Sequence, residues 1–92
     1  MSWESSIKTF KSYLKIERSL SDNSIVAYTR DIKKFADYAI NLELSESKIE
    51  RNDISNFLVL LKKSNISARS QARIISGIKA FYKYLILEDY IK

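Results

Sequence analysis

Residues 67–85, SARSQARIISGIKAFYKYL, combine an apolar pattern of helical period with charge of a single sign. Apolar residues separated by three or four positions share one face of an α-helix. In this stretch they are Ile74, Ile78, Phe81 and Leu85. The basic residues are Arg69, Arg73, Lys79 and Lys83, and the stretch contains no acidic residue. With Ser67 as its N-cap, the pattern predicts a helix that packs through one face and is basic on the other.

Three further segments have the same helical spacing of apolar residues, and together the four predict an all-α fold. The predicted helices span 3–18, 22–41, 52–63 and 67–87. Ser21 is the expected N-cap of the second helix. Because the connections are short, the helices should pack as a compact four-helix bundle that forms a single domain over 1–92.

The third predicted helix follows the longest polar connection, ELSESKIERN at 43–52. Either Asn52 or Asp53 could cap it. Val59 and Leu60 widen its apolar band, so we expect this helix to be the most buried of the four.

Composition excludes several classes of function. The 92 residues contain no Cys and no His and only one Gly. Disulfides, thiolate or imidazole metal sites, His-dependent catalysis and Gly-rich phosphate loops are therefore ruled out. We expect no cofactor, no metal and no small-molecule ligand. The chain has no export signal and no apolar run of membrane-spanning length, so we expect a cytoplasmic protein without a membrane partner.

The net charge of +5, from 16 basic and 11 acidic residues, is typical of a small nucleic-acid-binding domain. On a helical wheel, the side of the last helix opposite its stripe is predicted to carry Arg69, Ser70, Arg73, Ser76, Gly77 and Ala80. The second helix could add a companion surface from Asn23, Ser24, Ala27, Arg30 and Lys34, with Tyr28 at its edge. A helix of this kind fits the DNA major groove, and an ordinary solvated face is the competing interpretation.

Two longer segments carry a resemblance to a known family. They are ERSLSDNSIVAYTRDIKKF at 17–35 and SQARIISGIKAFYKYL at 70–85. In order and spacing they resemble the N-terminal core-binding domain of tyrosine recombinases, most closely the Xer type. The sequence departs from the family pattern at Ser19, Ser24, Gly77 and Lys79, and none of these changes removes a charge.

The resemblance implies a SAM-like helical bundle that forms one jaw of a clamp around duplex DNA. The second and fourth helices would lie against the major groove of the recombination half-site. It also implies that a separate C-terminal domain, outside this chain, carries the catalytic Arg, Lys, His and Tyr set. Strand exchange would take place in a tetramer on two DNA sites, either to resolve chromosome dimers or to integrate mobile elements. This chain by itself is not expected to be an enzyme.

The resemblance implies DNA-contact positions on the second and fourth helices. Mapped residue by residue onto this sequence, these positions give a set of expected DNA-binding residues. They are Asn23, Ser24, Tyr28, Arg30, Ser67, Arg69, Ser70, Arg73, Ser76 and Lys79. Arg73 and Lys79 match basic positions of the family motif, and we expect Arg73 to contribute about one phosphate contact. A helical protein-interaction module is the alternative function. The target DNA sequence and the choice between chromosome resolution and integration stay open.

Overall fold

The computed structural model describes residues 2–91, which form four α-helices and one short 3₁₀ turn. The helices are α1 (Trp3–Ile16), α2 (Asp22–Asn41), α3 (Arg51–Lys63) and α4 (Ala68–Leu87), and the 3₁₀ turn is Glu46–Lys48. No strand occurs within residues 2–91. The prediction of an all-α four-helix fold is confirmed. None of the helices in this range has the length and apolar character needed to cross a membrane.

Serine side chains begin α2 and α4 as the sequence predicts. The Ser21 hydroxyl accepts a hydrogen bond from the backbone N–H of Ser24 at 3.3 Å, and Ser67 does the same for Ser70 at 3.2 Å. Each bond satisfies one of the N–H groups that the first turn of a helix leaves without a partner.

The start of α3 differs from the prediction. The N-cap is Glu50, not Asn52 or Asp53, so that the helix begins at Arg51. Asp53 still contributes, because its carboxylate accepts the backbone N–H of Glu50 at 2.8 Å. It therefore closes the first turn from the third helical position rather than from the cap.

Residues with positive φ end the helices in a chain that has a single glycine. Ser19 (φ 50°), Glu43 (φ 59°), Asn65 (φ 62°) and Asp89 (φ 58°) all adopt the left-handed conformation. For a residue with a side chain, this conformation costs roughly 1 kcal/mol. Ser19 turns the chain so that the N–H of Leu20 donates to the carbonyl of Leu14 at 3.2 Å. This turn is why α1 ends at Ile16 and not at residue 18.

An aromatic cluster at the centre of the bundle joins the helices. Trp3 of α1 stacks on Phe81 of α4 and meets Phe35 of α2 edge-on, with 5.9 Å between ring centroids in both pairs. Phe35 in turn meets Phe57 of α3 edge-on at 5.1 Å. Because Phe10, Phe35 and Phe81 are completely buried, each removes its whole aromatic side chain from water at the place where the helices meet.

Helix α3 is the least buried helix, which contradicts the expectation from its apolar band. Only Phe57 and Leu61 of this helix are buried, whereas Val59 and Leu60 are 52% and 48% exposed. Successive side chains of an α-helix point in directions about 100° apart. Val59 therefore points away from the face that Phe57 presents to the core.

The connection between α2 and α3 is tied to the bundle by three hydrogen bonds. Trp3 Nε1 donates to the carbonyl of Leu44 at 2.9 Å, and the Ser6 hydroxyl donates to the buried carboxylate of Glu46 at 2.9 Å. The Tyr82 hydroxyl donates to the carbonyl of Glu46 at 3.0 Å. The segment that its polar composition marks as a loop is thus a loop held in one conformation by α1 and α4.

Tyr82 makes the stability of the fold sensitive to alkaline pH. Burial raises the pKa of Tyr82 well above its usual value, and the negative charges of Glu46 and Asp53 raise it further. An unfolded chain loses this proton near pH 10 while the folded chain keeps it, so stability is complete below about pH 10 and falls as the pH rises above it. Between about pH 8 and pH 11, wild type should lose roughly 1 kcal/mol more stability than Tyr82→Phe. Urea unfolding of both proteins at the two pH values measures this difference, and equal losses would contradict it.

Candidate nucleic-acid interface

Helices α2 and α4, from which the candidate residues come, are joined by an ion pair between Asp31 and Arg73. The Nε of Arg73 donates to Oδ2 of Asp31 at 2.7 Å, and Nη2 donates to Oδ1 at 3.0 Å. The Asp31 side chain is 1% exposed and that of Arg73 is 39% exposed. The hydrogen bond to Asp31 raises the pKa of Arg73. This two-pronged arrangement fixes the orientation of the guanidinium group as well as neutralising the buried carboxylate.

Gly77 lies where α4 crosses α2. A Cβ at this position would stand 3.2 Å from Cδ1 of Tyr28, so the absent side chain allows the close approach of the two helices. Asp31 contacts Arg73, and Tyr28, which precedes Asp31 on α2, contacts Gly77, which follows Arg73 on α4. The two helices are therefore antiparallel here. Both contacts join the N-terminal half of α2 to the N-terminal half of α4.

These contacts change which side of α4 meets the solvent. The exposed residues that recur at three- and four-residue spacing are Arg69, Ala72, Ser76, Lys79 and Lys83, and we call them the exposed face of α4. The sequence prediction included Arg73 and Gly77 in the solvent-facing side of α4. Gly77 is buried and Arg73 is turned toward α2, so the real face is rotated by roughly 80° around the helix.

The ten expected DNA-binding residues divide by exposure. Those with exposed side chains are Asn23, Arg30, Ser67, Arg69, Ser76 and Lys79. Those that are half-buried are Ser24, Tyr28, Ser70 and Arg73. The second group lies toward the contact between α2 and α4, where Tyr28 covers Gly77 and Arg73 holds Asp31.

The exposed cations of α4 have no carboxylate partner. The Asp31–Arg73 pair is the one ion pair found within residues 2–91, so Arg69, Lys79 and Lys83 carry unneutralised charge. Lys79 stands at the edge of a groove between α3 and α4 that Arg51 also lines. Glu50 lines the same groove and opposes the charge of Arg51, so the unneutralised positive charge belongs to the exposed face of α4 and not to the groove.

One partner of a candidate residue, Asp31, has only a weak signal in the sequence. Asp31 neutralises Arg73, and its acid side chain stands beside the apolar stripe of α2 between Tyr28 and Ile32. An acidic residue beside the apolar stripe of a helix is the sequence feature that could have predicted a buried ion pair. Gln71, which follows Ser70 on α4, donates from Nε2 to the carbonyl of Ile66 at 2.9 Å.

Within residues 2–91, no group of three or more His, Cys, Asp or Glu side chains comes together. What the surface offers is one helix with three free cations and two small residues, held against a second helix with an exposed Asn and Arg. This arrangement can bind phosphate groups and approach base edges.

Comparison with protein families decides the classification. The family model described as phage integrase, N-terminal SAM-like domain, matches residues 7–89. The chain belongs to this family. The SAM-like domain covers nearly all of the four-helix bundle, from the first turns of α1 to the end of α4.

Curated relatives of this SAM-like domain are tyrosine recombinases. The XerC protein of Leptospira interrogans is 44% identical over 86 residues, which is 92% of this chain and 28% of the relative. The XerD protein of Rickettsia bellii is 40% identical over 84 residues, covering 91% of this chain and 28% of the relative. The XerD protein of Oceanobacillus iheyensis is 38% identical over 88 residues. The chain thus spans less than a third of each relative's length, and no solved structure matched significantly.

Proposed function

We propose that this chain is the duplex-DNA-binding part of a site-specific tyrosine recombinase and that it binds the recombination half-site through α2 and α4. The observation that carries the proposal is the exposed face of α4, on which Arg69, Lys79 and Lys83 have no acidic neighbour within the face. The names of the relatives support the class of reaction. A helix of this width fits the major groove of B-form DNA.

Within this proposal the expected residues take two roles. Arg69, Lys79 and Arg30 are exposed cations that would contact phosphates, while Asn23, Ser67 and Ser76 offer short polar groups to phosphates or base edges. Ser24, Tyr28, Ser70 and Arg73 are half-buried, and their main contribution would be to hold α2 and α4 at the spacing that the DNA requires. Arg73 can still present its remaining N–H groups to a phosphate, because its side chain is 39% exposed.

The chemistry of the whole recombinase would lie in a separate catalytic domain. The chain contains no His, and its six tyrosines include none within the exposed face of α4 that could serve as an activated nucleophile. The proposal includes a tetramer of protomers on two DNA sites, in the compartment that holds chromosomal DNA. Chromosome-dimer resolution and element integration would both use this domain.

The charge of the exposed face of α4 should appear in the salt dependence of DNA binding. In the variant Arg69→Gln/Lys79→Gln/Lys83→Gln, the slope of log Kd against log salt concentration is expected to fall by about 2.7, or about 0.9 for each phosphate that the variant no longer neutralises. Fluorescence anisotropy with a labelled duplex at several salt concentrations measures it.

A matched variant separates this surface from the net charge of the protein. Lys48→Gln/Lys62→Gln/Lys63→Gln removes the same number of exposed positive charges from the 3₁₀ turn and the end of α3. It should change the slope by less than about 1. Equal effects of the two variants would show that binding has no preferred surface, and a wild-type chain that binds no duplex at low salt would refute the proposal.

A second candidate function, a protein-interaction module, is favoured by the groove between α3 and α4. The groove has a volume of about 450 Å³ and is lined by apolar side chains that include Ile54, Leu58, Ile75 and Tyr82. Backbone amide shifts on addition of duplex DNA distinguish the two functions. Shifts on α2 and α4 would favour DNA binding through these helices, and their absence from both helices would favour protein interaction.

A further inference from the structure

A basic hollow lies between α1 and α2, on the side of α2 that faces away from α4. Its volume is about 310 Å³, and it is lined by Lys11, Val26, Thr29, Arg30 and Lys33. Three of these five residues are cations and none is an acid. Lys11 belongs to α1, and the other four lie within about two turns of α2.

The three cations of the hollow have no neutralising partner. Lys11, Arg30 and Lys33 are all exposed, and the single ion pair within residues 2–91 is the one between Asp31 and Arg73. Like charges around one depression repel each other, so the site gains from any anion that enters it. A phosphate group offers several acceptor oxygens to these donors.

Thr29 adds a hydrogen-bonding group at the same place. Its Oγ1 is buried, and it has no hydrogen-bond partner within residues 2–91. Most buried polar side-chain atoms in folded proteins are hydrogen-bonded, so an unpaired one requires an explanation. Because this oxygen is shielded from solvent, the Thr29 side chain, which lines the hollow, must rotate before its hydroxyl can donate to a bound phosphate oxygen.

The acidic residues nearby restrict where an anion can sit. A neighbouring groove of about 440 Å³ shares Lys11, Thr29 and Lys33 with the hollow, but it is also lined by Glu4 and Asp37. These carboxylates would repel a phosphate from that groove. The end of the depression that Arg30 lines has no acid and is therefore the end that favours an anion.

We propose that the hollow formed by Lys11, Thr29, Arg30 and Lys33 binds a phosphate of the nucleic-acid backbone, outside the contact made by α4. The inference rests on the proposed DNA-binding function and extends it from α4, across α2, to α1. Arg30 lies at the junction of the two surfaces. A duplex seated on α4 and α2 would then gain a backbone contact with α1 that adds affinity without reading sequence.

Charge removal in the hollow tests the contact with DNA. For Lys11→Gln/Lys33→Gln, the slope of log Kd against log salt concentration should fall by about 0.9, since the one phosphate held in the hollow is no longer neutralised. The matched control is Lys62→Gln/Lys63→Gln, which removes two exposed lysines at the end of α3 and should leave the slope nearly unchanged. A reduced slope in the first variant alone supports the inference, and equal slopes in the two variants overturn it.

Thr29→Val separates a binding role from a structural one. Because the hydroxyl is unpaired in the fold, replacing it with a methyl group should leave the thermal midpoint unchanged or raise it. The same change should weaken duplex binding by at least about tenfold, corresponding to the removal of one hydrogen bond to a charged group. A lowered midpoint with unchanged DNA affinity would assign Thr29 to the fold and overturn its role in binding.

Inorganic phosphate tests the hollow without DNA. On titration, the backbone amides of Lys11, Thr29, Arg30 and Lys33 should shift together in wild type and not in Lys11→Gln/Lys33→Gln. Such shifts in a chain that binds no duplex would support the phosphate site while refuting the proposed function. Duplex binding that depends on the exposed face of α4, with no phosphate shifts in the hollow, would refute the phosphate site and leave the proposed function standing.

Discussion

Arg73→Ala should lower the free energy of unfolding by about 3 kcal/mol. The substitution removes both donors from the Asp31 carboxylate, which is 1% exposed and has no other ion-pair partner within residues 2–91. A buried charge without a partner is among the few single defects that destabilise a domain by this amount. Urea unfolding followed by circular dichroism measures the change.

Two comparisons identify the origin of that destabilisation. Lys79→Ala removes an exposed cation from the same helix and should cost less than about 0.5 kcal/mol. Asp31→Asn/Arg73→Ala leaves no buried charge and should recover part of the stability, as a double-mutant cycle would show. If Arg73→Ala were as stable as Lys79→Ala and lowered only the salt slope of DNA binding, Arg73 would be a phosphate contact rather than a link between α2 and α4.

Trp3→Ala should have an effect at least as large, about 4 kcal/mol. The indole ring packs against Phe35 of α2 and Phe81 of α4, and its Nε1 donates to the carbonyl of Leu44. Truncation thus leaves a cavity among three helices and an unpaired carbonyl in the connection that follows α2. Denaturant unfolding gives the energy, and hydrogen exchange of the amides of residues 42–50 reports the loosened connection.

Two further variants in α1 separate the contribution of Trp3 packing from that of its hydrogen bond. Trp3→Phe keeps an aromatic ring but not the indole N–H, and it should cost about 1–2 kcal/mol with faster exchange in residues 42–50. Ile16→Ala alters a side chain that is 73% exposed on the same helix, and it should cost less than about 0.5 kcal/mol. A Trp3→Ala protein as stable as Ile16→Ala would contradict the central place given to Trp3.

Local patterns were sufficient to predict the helices because capping and periodicity act within a few residues. Ser21 and Ser67 cap the helices that follow them, and the apolar stripe Ile74, Ile78, Phe81 and Leu85 is buried. The prediction failed at the C-terminus of α1, where Ser19 takes a left-handed conformation that its residue type does not favour.

The candidate site was predicted less well than the fold. Arg69, Ser76 and Lys79 are exposed as expected, and their role in DNA binding stays a prediction. Arg73 was expected to be mainly a phosphate contact, yet the structure gives it a second role as the partner of Asp31. The hollow at Thr29 had no sequence signal, because it requires the lysine of one helix to stand beside the cations of another.

The sequence by itself determined that this chain is four amphipathic helices with a basic last helix, since helix formation depends on contacts between residues three and four apart. Only the tertiary structure decided which side of each helix meets another helix. The close approach at Gly77 and the buried carboxylate of Asp31 turn α4 so that Arg73 faces α2, and the pairing of α1 with α2 brings Lys11 beside Thr29. The residues that make these contacts are separated in the chain by 18 positions (Lys11 and Thr29) to 49 positions (Tyr28 and Gly77). A local sequence pattern cannot report contacts over such separations.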